Sequence, residues 1–351
     1  MSDAKLDFRP MEAAEADLAA FQKCFAKNGT VRELDALRWQ YVDNPAAGMF
    51  VDLALCGDRF AAIYAVQPGM VKVEDNRTLA AQSVDTLVDA DFRGRGLFTT
   101  MAQALYQRLA QNGGRFVYGF PNANSAPGFF GKLGWMSLDP VPFLIRPLRT
   151  AFLASKLPLG RWLRKLPDLR LPMRVPKLRH RYAIHPVAEF GPEVDGLWNR
   201  FSSDVPVAVE RDSEYLKWRL AKPGERYECL GVLDEGALVA FCAYTTVAKH
   251  GGKVGYVLEL LHGPEHDDAA AALLVEALRR MATEEADAVL AWCFQHSPNA
   301  GTYRRAGFFP LPEALRPIEL HFGVRPLDES LRPLLVDRRN WYISYCDSDT
   351  V

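Results

Sequence analysis

The chain has 351 residues, 49% of them apolar and 11% aromatic, which is enough material for two hydrophobic cores and too much for a disordered chain. It carries 42 Lys and Arg against 43 Asp and Glu, a formal net charge of −1 that gives no electrostatic footprint for nucleic acid. No run approaches the roughly 18 apolar residues of a membrane span, and Asp3, Asp7 and Glu12 stand where an export signal would be basic, so a cytoplasmic protein is expected.

In chain order, Leu37-Arg38-Trp39-Gln40-Tyr41 followed by Pro45 is echoed by Leu216-Lys217-Trp218-Arg219-Leu220 followed by Pro223. Each precedes a predicted hairpin, turning at Gly57-Asp58 and at Asp234-Glu235-Gly236. A third echo, Lys132-Leu133-Gly134-Trp135 against Arg305-Ala306-Gly307-Phe308, points to a duplicated unit. Gln82 to Val88 is a β-rich run, and Phe98, Met101, Leu105 and Leu109 then recur at helical spacing until Gly113-Gly114. The turn Arg93-Gly94-Arg95-Gly96 therefore joins a strand to a helix N-terminus. Such a turn offers unpaired N–H groups and the positive end of a helix dipole to an anion, and its glycines let a pyrophosphate approach the main chain. A Walker loop is excluded, because no Gly-Lys-Ser or Gly-Lys-Thr follows. A dinucleotide fingerprint lacks its third small residue, since Leu97-Phe98-Thr99 follows Gly96.

The run Val88-Asp89-Ala90-Asp91-Phe92-Arg93-Gly94-Arg95-Gly96 resembles the acetyl-CoA signature Arg-x-x-Gly-x-Gly/Ala of the GNAT acyltransferase superfamily, with Phe98 at the last position. Phe116 to Ser125 and Lys132-Leu133-Gly134-Trp135 resemble the fifth strand, fourth helix and closing turn of the same family. In detail they are similar to a subgroup associated with exopolysaccharide and surface-glycan biosynthesis. The resemblance implies an α/β fold with mixed sheets in two tandem GNAT-like domains, the second degenerate. It implies acetyl-CoA as co-substrate without a metal, and direct attack on the thioester by a primary amine, on an amino sugar or glycan precursor.

In that scheme Leu87 and Val88 lend main-chain groups to pantetheine and the acyl carbonyl, Arg93, Gly94, Arg95, Gly96, Leu97 and Phe98 hold the pyrophosphate, and Asn124 contacts the CoA arm. Asp85 is the candidate base and Tyr118 a candidate proton donor, because the family's usual acid, a Tyr in Tyr-x-x-x-Gly-Phe, is replaced here by Phe130. Each has a plainer reading: Asp85 as a structural strand acid, Tyr118 as a core aromatic, and Asn124 with Ser125 as caps of the next helix.

Boundaries are expected at 1–139 for the CoA-binding domain, 140–181 for a connector and 182–351 for the second domain. Residues 141–185 hold eleven Lys or Arg against one acid, Asp168, and prolines at 140, 142, 147, 158, 167, 172 and 176 break any long helix. Here Phe152, Leu153, Leu157, Trp162, Leu163 and Leu166 interleave with Lys156, Arg161, Arg164 and Lys165. The segment reads either as a surface element drawn to anionic membrane, within reach of a lipid-linked acceptor, or as one packed on the protein with a solvated basic face.

The second domain has His262-Gly263-Pro264-Glu265-His266-Asp267-Asp268 in place of the phosphate loop. Its acids repel pyrophosphate, and its His-x-x-Glu-His spacing is interrupted by Gly263-Pro264, which speaks against zinc. Residues 339–345 alternate like a closing strand. The six cysteines are scattered, without a Cys-x-x-Cys pair, and read as buried thiols. The alternative to an enzyme is a non-catalytic protein of glycan biosynthesis that senses CoA or a nucleotide, for which Arg170-Leu171-Pro172-Met173-Arg174 offers an Arg-x-x-x-Arg spacing.

Overall fold

The structure is a computed structural model that describes residues 5–46, 48–57, 59–150, 152, 168–173, 182–249, 251–316, 318–348 and 350–351. Most of the connector, including Trp162, the basic residues around it and Arg174, lies outside the described residues. The chain forms two compact units.

The first unit comprises Met1–Pro140, Ala221–Gly224 and Leu320–Asn340. Its strands β1 (Asp7–Pro10), β2 (Phe50–Cys56), β3 (Arg59–Val73) and β4 (Asn76–Val88) form an antiparallel meander, and β5 (Phe116–Gly119) joins β4 in parallel. Alternation sorts the side chains onto two faces. Phe50, Ala54, Ala62, Tyr64 and Ala81 pack against Leu97, Met101, Leu105 and Leu109 of α3 (Leu97–Gln111). Val51, Leu53, Ile63, Ala65 and Val84 pack on the other face against Leu18, Phe21 and Phe25 of α1 (Glu15–Lys27) and Leu37 and Tyr41 of α2 (Leu34–Tyr41). The predicted stop of α3 is present. Gly113 has φ +88°, and a Cβ on Gly114 would come within 2.5 Å of Leu109.

The parallel pair leaves β5 needing a partner on its far side. An antiparallel strand from near the C-terminus, β15 (Gly323–Pro326), supplies it and pairs in turn with β6 (Met136–Ser137). The sheet order is β1-β2-β3-β4-β5-β15-β6.

The second unit, Val141–Leu220, Glu225–Glu319 and Trp341–Val351, repeats this plan. Its sheet order β8-β10-β11-β12-β13-β7-β14 is built from β7 (Phe143–Pro147), β8 (Ala183–Pro186), β10 (Glu228–Asp234), β11 (Ala237–Lys249), β12 (Gly252–His262), β13 (Ala288–Trp292) and β14 (Phe309–Pro310). The short β9 (Val207–Val209) bridges Trp341 through Val207. Helices α5 (Pro192–Phe201), α6 (Ser213–Arg219) and α7 (Asp267–Thr283) take the places of α1, α2 and α3, and α8 (Ala300–Arg305) corresponds to α4 (Ala126–Lys132).

The units are not consecutive along the chain, unlike the linear boundaries expected from the sequence. Each sheet takes its sixth strand out of chain order: β7 comes from the expected connector, and residues 320–340 belong to the first unit. The tail forms no closing strand. Trp341, Tyr342, Ile343 and Tyr345 are all at most 2% exposed, so both of their faces are buried and the alternation carries no inside–outside meaning.

Candidate active site

The carboxyl ends of β4 and β5 part from one another. Parallel pairing covers only Ala81 to Ser83 against Val117 to Gly119, whereas β4 runs on to Val88. Burial records the divergence, since Ala80 to Gln82 are buried and Asp85 to Val88 are half-buried. On the other side, β4 stays paired to β3 through Leu87 with Ile63 and Val88 with Ala62, after a bulge at Asp85-Thr86. The Asp89 N–H donates to the Ala61 carbonyl at 3.0 Å. By strand alternation the Val88 N–H therefore faces the side that β5 has vacated. An open slot with an inward-facing amide is a place to polarise a carbonyl.

Beyond Val88, Asp89 accepts the Asp91 N–H and closes a short 3₁₀ turn, Ala90–Phe92, and Gly94 and Gly96 take φ +80° and +75°. Gly96 caps α3, where Thr99 and Thr100 donate to its carbonyl at 3.1 Å. Among the described residues, no amide from Arg93 to Phe98 donates to a backbone carbonyl. These N–H groups converge at the positive end of a 15-residue helix. Arg59 and Arg95 stack on the Phe92 ring, each 5.2 Å from its centroid, and the Arg93 guanidinium reaches the Val88 carbonyl at 3.4 Å. Lys27 pairs with Asp89 at 2.6 Å, and Asp89 and its neighbour Asp91 are held below the usual carboxylate range. Burial works against this at Asp89, and the hydrogen bond from Lys27 leads the causes that lower it. At Asp91 the hydrogen bond from Arg59 is the largest cause. Phe98, the departure from a small residue, fills the gap between α3 and α4. It meets Phe129 edge-on at 5.3 Å, and a Cβ on Gly128 would come within 2.8 Å of it.

The structure thus brings Leu87, Val88 and the stretch from Arg93 to Phe98 to one cleft. Asp85 lies in the bulge with Oδ2 accepting from the Tyr41 hydroxyl and from Arg32 Nη2, both at 2.7 Å. The Arg32 guanidinium also donates to Gln40. This polar group on the α1–α2 side was missed from the sequence, although Gln40 and Tyr41 lie in the repeated Leu-x-Trp motif. Tyr118 is 5% exposed in the row Phe116, Tyr118, Phe120 on the face away from α3. Asn124 is exposed, and its expected capping partnership with Ser125 is replaced by Asn122, whose Oδ1 accepts the N–H groups of Asn124 and Ser125 at 3.0 and 3.1 Å.

In the second unit the corresponding opening, beyond the pairing of Tyr256 with Leu290, is filled. Tyr345 stacks on Trp292 at 4.6 Å and meets Tyr256 at 5.2 Å. Asp267 and Asp268 occupy the first turn of α7, where an anion would sit. His262 lies on β12 and His266 caps α7, so the pair is not aligned on one helix. No metal-ligating cluster occurs among the described residues.

Residues 7–137 match the family model described as an acetyltransferase (GNAT) domain. Among solved structures, N-myristoyltransferase of Saccharomyces cerevisiae with bound myristoyl-CoA aligns at a TM-score of 0.57 and 11% identity, covering 92% of this chain and 79% of that one. A GCN5-related N-acetyltransferase from Anabaena variabilis aligns at 0.63 and 10%, covering 95% and 75%. These likenesses show the fold. No curated protein matches in sequence.

Proposed function

We propose, from the GNAT domain matched over residues 7–137, that the chain is an N-acyltransferase that moves an acyl group from acyl-CoA to a primary amine within a ternary complex. The observation that carries this reading is the continuity of two features. The slot between β4 and β5, with the Val88 amide facing it, runs directly into the glycine turn with its unpaired amides. A pyrophosphate on the turn leaves its pantetheine arm to enter the slot, and the Val88 N–H then meets the oxyanion that forms when an amine adds to the thioester. The sensing alternative has less support, because a binding protein has no need of an amide aimed into the slot.

An acetyl group and an amino-sugar or glycan-precursor acceptor are the finer reading, resting on the sequence resemblance. Thiol release from acetyl-CoA against amino sugars, nucleotide-linked amino sugars and amino acids tests it. Release stimulated by one acceptor class supports the proposal, and acetyl-CoA binding without release under any acceptor favours the sensor.

Asp85 has a different employment in this reading from that of a free base. Its Oδ2 already accepts from Arg32 and Tyr41, so in this reading it orders a polar group that receives the acceptor. Asp85→Asn is expected to raise the acceptor KM about tenfold while kcat falls less, because the change removes binding that ground state and transition state share. A kcat loss of about 10²- to 10⁴-fold that shrinks at high pH would instead identify Asp85 as the general base.

A further inference from the structure

We infer that the acceptor amine carries a carboxylate and that Arg32 binds it; the inference deepens the acyl-transfer reading and rests on it. It starts from an ion pair that the chain builds twice. Arg32 stands seven residues before Trp39 and two before the start of α2, and Arg211 stands seven before Trp218 and two before the start of α6. The two hairpins end in the same register, with Ala62 opposite Val88 and Ala240 opposite His262. The next residue then donates its N–H back across the pair, Asp89 to Ala61 and Gly263 to Val239. Three residues before these strand ends lie Asp85 and Glu259. Arg32 with Asp85 and Arg211 with Glu259, at 2.7 and 2.6 Å, are therefore the same pair at the same place in each unit.

The two copies differ in what lies over them. The tail of the second unit seals Arg211 at 0% exposure and brings it a second carboxylate, Asp347, while the Val209 carbonyl takes Nη1. Arg32 keeps 21% side-chain exposure and pairs with one acid among the described residues. Its bonds to Asp85 and Gln40 both leave from Nη2, and its Nε has no partner among those residues. A guanidinium presents its donors as a fork that suits more than one carboxylate, and Arg211 shows that this place in the fold holds two. The position of Arg32 along β4 suits an acceptor. Asn28 donates to Asp89 at 3.3 Å and Arg32 to Asp85, so the α1–α2 loop is pinned to β4 on both sides of Val88, whose amide faces the slot. The Arg32 carbonyl accepts from Gln22 at 2.7 Å, which holds the loop from behind. A singly charged carboxylate next to Asp85 reproduces the balance of one cation and two acids around Arg211, whereas a phosphate dianion adds charge that Asp85 repels.

The test measures thiol release from acetyl-CoA with pairs of amines that differ in a carboxylate: muramic acid against glucosamine, and amino acids against their amides. Glucosamine 6-phosphate and a nucleotide-linked glucosamine form the phosphate arm. The expected result is that a carboxylate-bearing amine is used with a kcat/KM about 100-fold above its neutral partner. Arg32→Gln should then raise the KM for that amine about 100-fold, leave the KM for acetyl-CoA within about twofold, and barely change the slow reaction of the neutral partner. If Arg32→Gln does not fold, Arg32→Lys carries the same test with a loss of about tenfold, because it keeps the charge and gives up the fork. Equal use of both members of every pair, or release confined to the phosphate arm, overturns the carboxylate while acyl transfer stands. An equal loss by Arg32→Gln with charged and neutral amines makes the arginine a structural partner of Asp85 and overturns the inference alone. Acetyl-CoA binding by calorimetry with no release under any amine removes the acyl-transfer reading, and the inference with it.

Discussion

Replacing Gly96 by Glu is expected to weaken acetyl-CoA binding by at least about 100-fold and to leave the fold in place. Gly96 sits at φ +75°, and a Cβ there meets no atom within 4 Å, so the substitution costs about 1 kcal/mol of backbone strain and no clash. The loss falls on the ligand. The amides from Arg93 to Phe98 have no backbone acceptor of their own among the described residues, and a carboxylate at the cap would compete for them and repel pyrophosphate. Charge-assisted hydrogen bonds contribute about 1.5–3 kcal/mol each. Losing two of them accounts for a 100-fold effect or more. Gly96→Asn is the companion variant, because Asn tolerates the left-handed region and adds no charge; its affinity should stay within about tenfold of the parent. Calorimetry checks both, together with a stoichiometry of one acetyl-CoA per chain, since the matching opening of the second unit holds Tyr345. Tight binding by the Glu variant would remove the pyrophosphate from this turn.

What the sequence made visible was local. The glycine turn, the helix after it and its stop at Gly113-Gly114 depend on residues within one another's reach along the chain, where spacing and backbone preference speak directly. The duplicated plan was legible from three short echoes because each marks the same place in both units. His321 and Asp139 are 182 residues apart, and only the out-of-order β15 makes them neighbours. No periodicity signals a strand that joins a sheet formed by the first part of the chain, so chain order alone leaves residues 320–340 with the second unit. The α4 N-cap position falls on Ser125 without a side-chain cap, and Asn122 closes the turn before it, for a smaller reason: local loop geometry decides which Asx side chain turns back on the main chain.

The buried charges of the second unit were equally out of reach of the sequence, and they carry the largest expected effect on stability. Arg211 and Glu259 are 0% exposed and Asp347 is 3% exposed. Arg211 Nε meets Glu259 Oε2 at 2.6 Å and Nη2 meets Asp347 Oδ2 at 2.6 Å, while its Nη1 donates to the Val209 carbonyl at 3.0 Å. Glu259 also accepts from the Ser344 hydroxyl at 2.8 Å and from Tyr342. Burial pushes the Asp347 carboxyl upward against the pull of Arg211. The network ties β12 to the tail, and Arg219 holds the same tail through the carbonyls of Cys346, Ser348 and Val351, each at 2.9 Å. Arg211→Met would leave two carboxylates in the interior without their cation, and removing one member of a buried ionic group costs about 3–5 kcal/mol. A correspondingly large fall in the thermal midpoint is expected. The triple change Arg211→Met, Glu259→Gln, Asp347→Asn removes the charges together and should recover most of the loss, because buried charge without its partner is what destabilises the single variant. Urea unfolding of the three proteins checks this. If the triple variant is no more stable than Arg211→Met, shape and hydrogen bonding, and not unpaired charge, set the cost of losing Arg211.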